Sequence, residues 1–125
     1  MGKRVVHVEF PAQDLERGKA FWAGVGGWDI QDSGMQGMQY LMAQEGDQGV
    51  GIYSMEGSSG TTTYLGSDDI DADIAKVKEL GGQADDKMPI PNVGWFSRCK
   101  DSEGNDFSLF QGDDNAPMPE GMPGQ

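Results

Sequence analysis

The sequence predicts an α+β fold of two tandem β-α-β-β-β modules, residues 4–56 and 59–111, followed by a flexible acidic, Pro/Gly-rich tail over 112–125. Three observations carry this prediction. The chain repeats itself at a spacing of 55 positions: Asp14-Leu15 returns as Asp69-Ile70, Gly26-Gly27 as Gly81-Gly82, and Gly49 as Gly104. Each half runs in the same order, from an extended segment through an Asp, a helical segment and a Gly-Gly stop to shorter extended segments. The length, 125 residues, suits one domain or two small modules sharing a core.

Each element has its own justification. Arg4 to Phe10 alternates with a period of two, so Val6, Val8 and Phe10 share one face and Val5, His7 and Glu9 the other. Asp14 is an N-cap, and Leu15 to Val25 is helical, with Leu15, Gly18, Trp22 and Val25 on one stripe. Gly26-Gly27 ends that helix. Trp28 to Ile30, Gln39 to Ala43 and Gly49 to Met55 are short strands between Gly-rich turns, and Asp32 to Gln39 is a loop. Ser58 to Gly60 is a linker. Thr61 to Leu65, rich in β-branched residues, enters the second module. Asp69 caps a helix with Ile70, Ile74, Val77 and Leu80 on one face, and its early Asp71 and Asp73 and later Lys76 and Lys78 suit the helix dipole. Gly94 to Cys99 and Asp106 to Gln111 are strands joined by the turn Asp101 to Asn105.

The bulk composition excludes some functions. A net charge of −12 opposes binding to nucleic acid or to an anionic membrane surface. The single cysteine, Cys99, permits no internal disulfide, as expected in a reducing compartment. No secretory segment or membrane-spanning apolar run is visible, so a cytoplasmic location is expected.

The run Val5-Val6-His7-Val8-Glu9-Phe10-Pro11-Ala12, the helix start Asp14-Leu15-Glu16-Arg17, and Phe21-Trp22 ahead of Gly27-Trp28 resemble the vicinal oxygen chelate superfamily. So do Asp68 to Asp71, Leu80-Gly81-Gly82, Gly94-Trp95-Phe96 and Lys100 to Asn105. That superfamily includes glyoxalase I, bleomycin-resistance proteins, fosfomycin-resistance enzymes and extradiol dioxygenases. The resemblance covers about residues 4 to 111 and implies a curved, cup-shaped mixed sheet with the helices outside. The repeat adds a pseudo-twofold relation between the modules, and relatives of this size imply a homodimer.

In metalloenzymes of the superfamily, the first and last strands of each module supply ligands to a divalent ion in the cup. The register places those positions at His7, Tyr53, Thr62 and Ser108. Three are neutral hydroxyls, whereas a catalytic site wants about three nitrogen or carboxylate ligands. Glu9 adds one carboxylate to the only histidine. The sequence therefore predicts no family metal site and no cofactor.

Strand parity then predicts the lining of a small-molecule cup: His7, Glu9, Tyr53, Thr62, Tyr64, Phe96, Arg98, Ser108 and Phe110. Plainer roles stand beside these. His7 also reads as a structural histidine bonded to Glu9 or a backbone carbonyl, Arg98 as the partner of Asp106, and Cys99 as a buried small hydrophobe.

Three functions compete. The first is a glyoxalase/bleomycin-resistance-like protein that binds a small molecule without metal. The second is a glyoxalase-like lyase or isomerase with His7 and Glu9 as acid and base. The third is a structural or protein-interaction domain, to which the acidic tail and the Met-rich segment Met35 to Met42 point.

Overall fold

The computed structural model describes residues 2–33, 39–54 and 60–118. Contacts divide the chain into a first unit, residues 6–63, and a second unit, residues 64–125 with 1–5.

The first unit holds β1 (Val5–Pro11), α1 (Leu15–Gly26), β2 (Gln31–Asp32), β3 (Tyr40–Glu45) and β4 (Gln48–Tyr53). The strand order is β2-β3-β4-β1, with β1 parallel to β4 and the other pairs antiparallel. Asp14 caps α1 by accepting from the Arg17 amide at 3.0 Å. Gly27, at φ 75°, ends the helix with its N–H donated to the Ala23 carbonyl. The helix lies close to the sheet at Gly18, where an added Cβ would come within 2.9 Å of Ala12 Cβ. Beneath it Ile30, Leu41, Ala43 and Ile52 are buried, packed by Leu15, Trp22, Ala23 and Trp28. Phe10 stacks on Trp22 with ring centroids 4.0 Å apart, so the apolar face of β1 meets α1.

Two expectations fail here. Val25 is 70% exposed. Val25 lies in the last turn of α1, beyond Leu15, Gly18, Trp22 and Ala23, which pack on the sheet, so the helix extends past the surface beneath it. The segment from Trp28 to Ile30 is not a strand; it packs into the core, and only Gln31–Asp32 joins the ladder.

The second unit holds β5 (Thr62–Gly66), α2 (Ile70–Glu79), β6 (Gln83–Ala84), β7 (Met88–Ile90), β8 (Gly94–Lys100) and β9 (Asp106–Gly112). Its strand order is β5-β9-β8-β6, with β7 also on β8. Each unit thus places its last strand beside its first and the preceding long strand next to that. Asp69 caps α2 through the Ala72 amide at 3.1 Å, and the Ile70 amide donates to Gln111 Oε1 at 2.9 Å. Ile70, Cys99 and Leu109 are buried with Ile74, Val77, Trp95 and Phe107 around them. Leu80 is the C-cap and is 68% exposed, not part of the packed face. The turn from β8 to β9 forms as expected: Asp101 Oδ1 accepts from the Glu103 and Asn105 amides at 2.8 and 2.9 Å, and Gly104 takes φ 86°.

The chain after Gly112 is better held than its composition suggests. Ala116 is buried, its carbonyl accepts from the Asn92 amide at 3.0 Å, and Asp113 accepts from Trp95 Nε1 at 3.1 Å. Apolar burial of a small residue and a side-chain anchor offset the cost of ordering these acidic positions. The rest of the expected tail, 119–125, lies outside the described residues, as do 34–38, which include 35–38 of the Met-rich segment, and 55–59 around the linker.

Candidate binding face of the first unit

The sheet of the first unit has one face against α1 and one face away from it. Ladder partners share a face, and the register groups Gln44, Gly49 and His7 in one row. The next row holds Met42, Gly51 and Glu9, and the third Tyr40, Tyr53 and Pro11. The central strand, β4, therefore presents two glycines on this face. An added Cβ at Gly51 would fall on the Tyr40 hydroxyl and 3.0 Å from His7 Nε2. At Gly49 it would fall 2.5 Å from His7 Nδ1 and 2.7 Å from Gln44 Oε1. The missing side chains let Tyr40 on β3 reach across β4 to β1.

The result is a three-residue relay. Tyr40 donates its hydroxyl proton to Glu9 Oε2 at 2.7 Å. His7 Nε2 lies 2.5 Å from the same hydroxyl oxygen. His7 Nε2 and Glu9 Oε2 are 3.8 Å apart, too far for a direct hydrogen bond, so the phenol bridges them. Both side chains are 17% exposed, and Tyr40 is buried. The direct His7–Glu9 bond that the sequence suggests as a structural role is replaced by this bridge.

Burial lowers the His7 pKa below its ordinary value, and the Glu9 charge opposes the shift only in part. An imidazole that binds its proton less readily when folded favours the native state at higher pH. Its contribution is complete above the unfolded pKa of about 6.5 and is lost as the pH falls below it. Asp73 acts lower: burial would raise it, but hydrogen bonds from Lys3 and Ser67 bring it below the usual carboxylate value. Its contribution is lost as the pH falls through the carboxylate range. We expect urea midpoints to fall between pH 7.5 and pH 5, with a smaller fall in His7→Gln. Equal falls in both proteins would show that His7 is not the group responsible.

The remaining sequence-derived candidates fall as follows. Tyr53 is the ladder partner of Tyr40 and is half-buried at the end of β4. Thr62 and Tyr64 are half-buried on β5. In the second unit Phe96 faces Phe110 across the ladder and Arg98 faces Ser108. This face is opposite to that of Cys99 and Leu109, which pack on α2. Arg98 does not pair with Asp106. The partner of Asp106 is its ladder neighbour Lys100, at 2.6 Å, because a residue directly opposite is nearer than the diagonal one. Tyr40 is the residue that sequence reasoning missed. The signal available for it was Gly49-Val50-Gly51, two glycines on one strand face, which marks a side chain lying across the strand.

At the described positions where the superfamily places its ligands, the donor chemistry does not fit a catalytic divalent ion. Of the four positions where the superfamily places ligands, three carry hydroxyls, and His7 and Glu9 already share the Tyr40 hydroxyl. Among the described residues no three His, Cys, Asp or Glu side chains converge.

A sheet of parallel and antiparallel strands with one helix in each unit is the architecture of the vicinal oxygen chelate class. A model of the glyoxalase-like domain matches residues 6–110, and the chain belongs to that family. Solved structures of the same fold include an uncharacterised protein from Bacillus halodurans C-125, at 15% identity and TM-score 0.70, over 94% of this chain and 100% of that one. A Streptomyces coelicolor methylmalonyl-CoA epimerase variant in complex with 2-nitronate-propionyl-CoA is 17% identical, with TM-score 0.69, over 93% and 99%. A glyoxalase/bleomycin resistance protein/dioxygenase superfamily member from Vibrio splendidus 12B01 is 16% identical, with TM-score 0.63, over 90% and 100%. At these identities the likeness shows the fold alone. No curated protein matches the chain.

Proposed function

We propose that this chain binds a small molecule on the face that carries His7, Tyr40 and Glu9, and does so without a divalent metal. The observation that carries the reading is the convergence of an imidazole, a phenol and a carboxylate over a strand cleared by two glycines. Small-molecule sites usually combine such a polar cluster with apolar walls. Tyr53 and Met42 lie on the same face, and Thr62 belongs to the same proposal. The second unit by itself carries a further proposed ligand-binding face, that of Phe96, Arg98, Ser108 and Phe110, with Tyr64. No Lys or Arg lies on β1, β3 or β4, so the polar cluster favours a ligand with a positively charged or hydrogen-bond-donating head and a flat apolar body. The epimerase structure, which holds a CoA ester on the same fold, supports an organic ligand in general.

The relay also favours a second reading, a lyase or isomerase in which His7 takes and returns a proton beside Glu9. We further propose a homodimer in the cytoplasm, with no nucleic-acid or membrane partner. Among the described residues no helix is long and apolar enough to cross a membrane.

The test is a thermal-shift screen with aromatic amines and neutral aromatic controls. Amines should stabilise the wild type, and Glu9→Gln should bind them at least about tenfold more weakly, the scale of a lost charge-assisted hydrogen bond. His7→Ala should weaken binding too. Equal stabilisation of all three proteins would remove this face as the site.

A further inference from the structure

The proton count on the relay is more specific than its geometry alone. A carboxylate can only accept, and the phenol has one proton. With that proton given to Glu9 Oε2, the phenol oxygen can only accept from His7. His7 Nε2, 2.5 Å away, must then carry a hydrogen, since otherwise two lone pairs would face each other. We propose that Tyr40 is the positioning residue of this face: its hydroxyl stands between His7 Nε2 and Glu9 Oε2 and keeps them apart as a neutral Nε2–H imidazole and a carboxylate, instead of a directly bonded ion pair. With the ring neutral, as its burial favours, Nδ1, which lies over Gly49, is the acceptor. Among the described residues of the first unit, the ionisable groups in the rows of this face are His7 and Glu9 on β1, Tyr40 on β3 and Tyr53 on β4.

The spacing supports this role. Without the phenol, a gap of 3.8 Å separates an imidazole nitrogen from a carboxylate oxygen in a half-buried setting, and a small side-chain shift would close it. Closure would stabilise the imidazolium and turn a hydrogen-bonding pair into a salt bridge. Tyr40 is buried, so its ring is held by the packing around it and not by the relay alone.

This inference deepens the binding reading above and rests on it only for its use, because its test needs no ligand. His7 is the only histidine, so the ring nitrogens of untagged, ¹⁵N-labelled protein report on this site without assignment. At pH 7.5 the wild type should show a pyrrole-type signal at Nε2 and a pyridine-type signal at Nδ1. In Tyr40→Phe at the same pH both nitrogens should move toward the imidazolium position, while Tyr53→Phe should match the wild type. Gly51→Ala, whose methyl displaces the hydroxyl, should give the Tyr40→Phe signature and serves where that variant does not fold. A wild-type Nδ1–H tautomer, or variant spectra identical to the wild type, would overturn the proposal. If the spectra follow expectation and the amine screen shows no dependence on His7 or Glu9, the relay stands and the binding reading alone falls.

Discussion

Ile52→Ala is expected to cost about 2–5 kcal/mol of folding stability, the range for truncating a fully buried aliphatic side chain. Ile52 is 0% exposed, at the centre of a cluster with Ile30, Leu41 and Ala43. It faces α1 where the helix comes closest, since a Cβ built on Gly18 would lie 3.5 Å from Ile52 Cγ2. A strand and a helix locked at that distance have little freedom to collapse into the space left by three missing carbons, so the cavity persists. Domains of this kind have about 5–15 kcal/mol in total, so the loss is a large fraction. Val25→Ala is the control: Val25 is 70% exposed, and surface substitutions usually stay within about 0.5 kcal/mol. Urea unfolding followed by circular dichroism measures both. A loss under about 1 kcal/mol for Ile52→Ala would mean that the helix and sheet of the first unit are not packed as described.

The contrast between Ile52 and Val25 also shows what was legible in the sequence. Local signals were read well where one residue decides the outcome. Asp14 and Asp69 are caps, Gly27 ends a helix at positive φ, and Asp101 organises the turn into β9. Period-two alternation on β1 put Phe10 against α1 and left His7 and Glu9 together on the other face. The misses arise where placement depends on distant partners. Val25 and Leu80 fit helical stripes, yet the stripe outruns the surface it packs on. Ala116 is buried through bonds to Asn92 and Asp113, which no local pattern announces. Arg98 and Lys100 are equivalent by composition, and only the ladder register assigns Asp106 to Lys100. Tyr40 escaped for the same reason: its partners are 31 and 33 residues away on another strand. The family, by contrast, was legible because it depends on the order of elements, which local signals along the chain display.

Gly51→Ala is expected to destabilise the fold by about 1–3 kcal/mol, the usual cost of inserting a carbon into a filled space, and to disrupt the relay as well. The new methyl would fall on the Tyr40 hydroxyl, 2.5 Å from Cζ of the same ring and 3.0 Å from His7 Nε2. The phenol cannot yield at its tip, because the ring carbon behind it is also too close, so the whole side chain must rotate out of a buried position. Gly49→Ala should be costly as well: its methyl would lie 2.5 Å from Nδ1 and 3.2 Å from Cε1 of the half-buried His7 ring, and only the 2.7 Å contact with Oε1 of Gln44, the far end of a flexible side chain at an exposed position, can yield freely. The origin of the effect is open to a double-mutant cycle. If the cost at position 51 arises from Tyr40, then Gly51→Ala should be milder in a Tyr40→Leu background, with a coupling of about 0.5–3 kcal/mol as for residues in contact. Strict additivity would place the strain in the strand backbone instead, and the clearing of β4 would no longer explain why Tyr40 reaches β1. Binding on this face should fall in both variants, in Gly51→Ala because the hydroxyl that separates His7 from Glu9 is displaced and in Gly49→Ala because the His7 ring itself must shift.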